Sequence, residues 1–161
     1  RMMAFLDFSL LKPRLHRWKF NLRTGKTTEE DICDETIEFG VINQHIAGIE
    51  HQYTYSMIPT KGHFTFDGIT KHDHQKKSLS KYLFPQHVFI SEVSFAPKTG
   101  AIDEDDGYLV TISNDVKKNT SSCLLFDAKN LEFGPVCEIP LPHQICSGTH
   151  ATWAQKSDLK S

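Results

Sequence analysis

Short apolar runs recur along this chain, and within them apolar and polar residues tend to alternate. In "QYTYSMI", Tyr53, Tyr55 and Met57 fall on one side of an extended strand, while Gln52, Thr54 and Ser56 fall on the other. "GHFTFDG" sets Phe64 and Phe66 together, and "HVFISEVSF" sets Phe89, Val93 and Phe95 against Val88, Ile90 and Glu92. "GYLVTISND" and "SCLLFDA" read as further strands. Turn signals punctuate these runs: "RTGK" at 23–26, "TKGH" at 60–63, "FDGI" at 66–69, "APKTGA" at 96–101, "EDDGY" at 104–108 and "FGPV" at 133–136. No stretch carries a helical stripe with caps, and "TTEEDI" at 27–32 offers one short turn at most. The pattern predicts an antiparallel all-β fold. Sandwich, barrel and propeller blades all fit hairpins spaced this way, and no near-identical repeat chooses among them.

Composition narrows the partners more than the fold. The 161 residues suit one domain, and 18 basic against 20 acidic side chains are interspersed. No basic stripe points to nucleic acid or an anionic membrane. No apolar run approaches the roughly 20 residues that span a bilayer. The opening "RMMAFLDFSLL" lacks the layout of a signal peptide, so the expected compartment is the cytoplasm. Cys33, Cys123, Cys137 and Cys146 are scattered without a C-x-x-C pair and read as reduced, mostly buried thiols.

Nine histidines invite a search for a metal site. His72 and His74, in "KHDHQKK" at 71–77, would share a face if extended, but the lysine-rich setting predicts an exposed turn. The remaining histidines lack zinc-site spacing. "DEDDG" at 103–107 fails the calcium-loop pattern, because aligning Gly107 to the sixth position puts Ser113 at the twelfth, and it reads as a solvated turn. Three residues stand out. Glu92 lies amid an apolar strand, where an ionisable group is costly unless paired. Glu38 sits similarly in "TIEFGVI", and His150 lies near the chain end in "SGTHATWA". Taken alone, each also fits a strand-edge or salt-bridged residue.

Read in order, "RLHRWKFNLRTGKTTEE", "IEFGVINQHIAGIEHQYTYS", "FDGITKHD", "SEVSFAPKTGAIDEDDGYLVTISND", "CLLFDAKNL" and "IPLPHQICSGTHATWA" resemble the C-terminal part of the carotenoid cleavage oxygenase family. "DDGYLV" and "SGTHATWA" look most like its lignostilbene dioxygenase branch. The resemblance runs from about Arg14 to Ala154. It implies antiparallel blades of a seven-bladed β-propeller, here the last two to three. It implies an axial non-haem Fe(II) held by four histidines, with three glutamates hydrogen-bonded to some of them. His150 matches the last ligand, and Glu38 and Glu92 each match one of those glutamates. An imidazole that binds iron through one nitrogen needs an acceptor for its other N–H, which is what a carboxylate in an apolar strand provides.

The implied reaction is oxidative cleavage of a C=C bond by O₂ into two carbonyl products. The implied substrate is a small hydrophobic alkene, either stilbene-like or a carotenoid or apocarotenoid. The family's other three ligand histidines lie upstream of the matched region, and Gly40 stands where the family often has a proline after "EF". Residues 1–161 are therefore expected to be the C-terminal part of a single propeller domain, inactive without its N-terminal blades. The alternative is a non-catalytic β-rich binding or scaffold relic of the same propeller.

Overall fold

The computed structural model describes residues 7–146, 148, 150–156 and 159. Strands β1 (His16–Phe20) and β2 (Thr27–Asp31) form a separate antiparallel hairpin, turned at "RTGK" with Gly25 at φ 71°. The expected helical turn at 27–32 is thus a strand, because β1 offers "TTEED" a partner in register from His16↔Asp31 to Phe20↔Thr27. No helix among the described residues is long and apolar enough to cross a membrane.

The other strands are β3 (Glu38–Val41), β4 (Tyr53–Pro59), β5 (Phe66–Asp73), β6 (Ser78–Leu83), β7 (Val88–Ile90), β8 (Ser94–Pro97), β9 (Gly107–Asp115), β10 (Thr120–Asp127) and β11 (Pro135–Pro140). They make two four-stranded antiparallel blades, β3-β4-β5-β6 and β8-β9-β10-β11, bridged by β7, which pairs with both β5 and β9. The all-β blades expected from the sequence are present. Tyr55, Met57, Ile69, Leu109 and Phe126 fill the core, each almost wholly buried, as the alternation in "QYTYSMI" and "SCLLFDA" requires.

Two of the expected boundaries move. "FDGI" is not a turn but the start of β5. Gly68 serves close packing there: a Cβ would stand 2.7 Å from Ile58 Cδ1 and 2.9 Å from Leu83 Cδ2. "HVFISEVSF" is not one strand either. β7 lies against 113–115 of β9 and β8 against 107–110, so the chain breaks pairing at Ser91–Val93. The alternation resets across that break, and Ile90, Val93 and Phe95 all enter the core.

The second face of β4 and β5 is polar and still buried. Thr54, Ser56, Thr70 and His72 are nearly inaccessible, so "KHDHQKK" is exposed only from Gln75 onward. His72 and His74 do share a face, with ring centroids 4.7 Å apart. Arg17 of β1 reaches His74 Nδ1 at 3.1 Å, and His74 Nε2 lies 2.8 Å from Thr54 Oγ1. An arginine can only donate, so Nδ1 accepts, and the Nε2–H donates to Thr54. Thr54 Oγ1 in turn lies 3.3 Å from His51 Nε2. Burial, then the neighbouring His72, His51 and Arg17, holds His74 down to about 4 against an ordinary 6.5. The unfolded chain therefore takes up a proton that the folded one refuses. Stability from this site is complete above about 6.5 and is lost as pH falls towards about 4. His74→Gln is expected to flatten that part of the stability–pH curve, measured by chemical denaturation at stepped pH.

The acidic run 103–106 is not simply a solvated turn, because Glu104 and Asp105 clasp the two blades together. The Glu104 carboxylate accepts the backbone N–H of Gln52 and of Tyr53, each at 2.7 Å, tying the start of β4 to the loop before β9. Asp105 pairs with Lys71 of β5 at 2.7 Å, and Lys71 also stands 4.2 Å from the Tyr53 ring centroid. Asp106 and Asp103 share Lys129, at 2.6 and 2.8 Å. Glu104 and Asp105 face amide and ammonium donors of the other blade, while Asp103 and Asp106 meet an ammonium of their own blade. Gly107 closes the clasp: the Phe95 ring lies across it so closely that a Cβ would meet Cζ at 2.2 Å. The cysteines depart from expectation in their burial. All four are free, as expected, but Cys137 on the exposed strand β11 and Cys146 are exposed, and Cys33 and Cys123 are only half-buried.

Candidate metal-ligand site

The break at Ser91–Val93 builds the site. With β7 and β8 offset along β9, Ser91 N–H donates to Ile112 O at 2.8 Å, and Ser91 O accepts the Thr111 hydroxyl at 2.9 Å. Val93 plugs the core, and the Glu92 side chain, only 12% exposed, is turned towards the C-terminal tail. His150 Nδ1 stands 3.4 Å from Glu92 Oε2, and the same oxygen accepts the Ala151 N–H at 2.6 Å. One carboxylate thus faces the ring and accepts the backbone N–H just after it. The imidazole itself is 73% exposed, and its Nε2 has no hydrogen-bond partner among the described residues. A cleft of about 300 Å³ beside the ring is walled by Val110, Ile112, Ile145 and Trp153.

Glu38 is not drawn to His150. It opens β3 opposite Met57 and lines a separate cleft of about 260 Å³ with Leu11, Pro13, Pro59 and Phe66. Its carboxylate has no hydrogen-bond partner among the described residues. The link between the two is Phe39. Its φ of 52° makes a bulge, and pairing slips between Glu38 and Val41. Its ring then packs edge-on against Phe66 at 5.6 Å and against His150 at 5.9 Å. Gly40 lies inside this bulged strand rather than in a turn, tight against Thr54. Sequence reasoning missed Phe39 and Ser91, since a positive φ at phenylalanine and a bridging serine leave no periodic signal.

The donor chemistry suits a divalent transition metal. An imidazole with its Nδ1 3.4 Å from a carboxylate oxygen, and no partner at Nε2 among the described residues, has the orientation a ligand histidine needs. Among the described residues no three His, Cys, Asp or Glu side chains converge to hold an ion.

Residues 3–155 match the family model described as RPE65, retinal pigment epithelial membrane protein. A carotenoid 9,10(9′,10′)-cleavage dioxygenase 1 of Phaseolus vulgaris is 28% identical, covering 91% of this chain and 30% of that protein. The lignostilbene-α,β-dioxygenase isozyme III of Sphingomonas paucimobilis is 27% identical over 92% of this chain and 33% of its own length. A solved structure of Synechocystis apocarotenoid oxygenase superposes with a TM-score of 0.86 at 24% identity, covering 94% of this chain and 32% of that one. That enzyme has also been solved in cobalt-substituted form. The chain spans about a third of the length of these relatives. Two blades of a β-propeller carrying these motifs leave one assignment: the chain belongs to the RPE65 and carotenoid cleavage oxygenase family.

Proposed function

We propose that residues 1–161 are the C-terminal part of a single propeller domain of a non-haem Fe(II)-dependent dioxygenase. It cleaves the C=C bond of a stilbene-like or carotenoid-type substrate into two carbonyl products. The observation that carries this reading is the Glu92 carboxylate shared by His150 Nδ1 and Ala151 N–H. Ferrous iron, when bound, would supply the O₂ activation, and His150 would be one of the residues that hold it. Glu92, whose carboxylate lies 3.4 Å from Nδ1, would orient the ring for that role. Glu38, unpartnered in its own cleft, is available to a ligand histidine of the upstream blades. The apolar wall of Val110, Ile112 and Trp153 suits a hydrophobic alkene. The 161-residue chain by itself is not expected to turn over.

The test is to express the complete reading frame, load it with Fe(II), and follow O₂-dependent aldehyde formation from hydroxylated stilbenes and from apocarotenoids. Aldehyde from either class supports the reading, and none from both defeats it. Glu92→Gln keeps one acceptor oxygen for Ala151 and loses the negative charge facing the ring. It should cost about tenfold in iron affinity or turnover, whereas Glu92→Ala, which frees both groups, should approach a hundredfold.

A further inference from the structure

The segment that carries His150 is tied to the rest of the chain by side-chain hydrogen bonds, among them Gln155 Nε2 to His45 Nε2 at 2.9 Å. Leu141 N–H still bonds Ser121 O at 2.9 Å, but beyond it the described residues of the tail are mostly exposed and lie in no strand. Three side-chain oxygens of the second blade take up its backbone N–H groups. Ser121 Oγ accepts from Ile145 at 3.0 Å, Ser91 Oγ accepts from Gly148 at 3.0 Å, and Glu92 accepts from Ala151. The last two acceptors are consecutive residues, and they grip the tail on either side of His150. Ser91 is the better founded of the pair. It is 5% exposed, and both its N–H and its C=O are fixed by β9, so its hydroxyl is a rigid post rather than a mobile arm.

We propose that Ser91 is a positioning residue for the metal site: its hydroxyl fixes Gly148 and thereby sets where the His150 ring stands relative to Glu92. This rests on the reading of His150 as a ligand. A carboxylate alone orients a ring about its contact but leaves the backbone free to pivot. A second anchor two residues earlier removes that freedom. A ligand displaced by even a fraction of an ångström binds its metal more weakly, and the ligand field around the metal changes with it.

The experiment uses Co(II) as the probe in the protein from the complete reading frame. It records the visible d–d spectrum and the rate at which excess chelator strips the metal. Variants are Ser91→Ala, the equal-sized pair Ser91→Thr and Ser91→Val, and His150→Ala. Losing the hydroxyl in Ser91→Ala and Ser91→Val should speed metal loss about tenfold and alter the d–d bands, with melting temperature little changed. Ser91→Thr, which keeps the hydroxyl, should stay near wild type. The Thr/Val pair carries the test even if alanine compromises folding. Wild-type stripping and spectra in Ser91→Val, or Thr and Val behaving alike, would overturn the role of Ser91. If His150→Ala also strips like wild type, the ligand assignment itself falls. If only the serine variants do, that assignment stands without this support.

Discussion

His150→Ala in the protein from the complete reading frame is expected to abolish iron loading and alkene cleavage together. The loss should exceed the roughly 10–100-fold that removing an orienting partner costs, because the donor itself is gone. Folding should be nearly untouched: the ring is 73% exposed and its edge-on contact with Phe39 is the one aromatic packing it makes among the described residues. The measurement is iron content by elemental analysis beside turnover, with denaturant midpoints as the control. Retained iron with normal turnover would remove His150 from the site.

Asp105→Ala should produce the largest loss of stability in the chain. Lys71 and Asp105 have side chains only 9% and 11% exposed and meet at 2.7 Å between the two blades. Removing the acid strands a buried ammonium, which costs about 3–5 kcal/mol. The apolar double variant Lys71→Met with Asp105→Leu removes both charges and should recover most of that loss, because the penalty comes from the unpaired charge and not from the missing attraction. Equilibrium denaturation of wild type, single and double variants measures it. A single variant within about 0.5 kcal/mol of wild type, the range of ordinary surface substitutions, would mean the clasp contributes nothing.

The two faces of a strand differ in how much of their fate is written locally. Tyr55 and Met57 are buried because alternation puts them on the apolar side, and "QYTYSMI" shows that directly. Thr54, Ser56 and His72 are buried on the other side, and nothing local distinguishes them from solvent-facing residues. The same limit governs the charges. Lys71 meets Asp105 across 34 residues, so "DEDDG" looks like an exposed turn until the other blade is in place. At the site, Glu92 reaches Ala151 across 59 residues. A carboxylate in an apolar strand declared itself as unusual, but its partner became legible only through the family motifs "ISEVSF" and "SGTHATWA". Ser91 was invisible for a further reason. Its importance comes from the pairing break between β7 and β8, and the uninterrupted apolar pattern of "HVFISEVSF" conceals that break.

The direct measurement is anomalous diffraction at the iron edge from crystals of the iron-loaded protein expressed from the complete reading frame. A single iron peak at bonding distance from His150 Nε2, with Nδ1 still facing Glu92, is the predicted result. Iron seated elsewhere, with the His150 ring in solvent and Glu92 bound only to the Ala151 N–H, would contradict it.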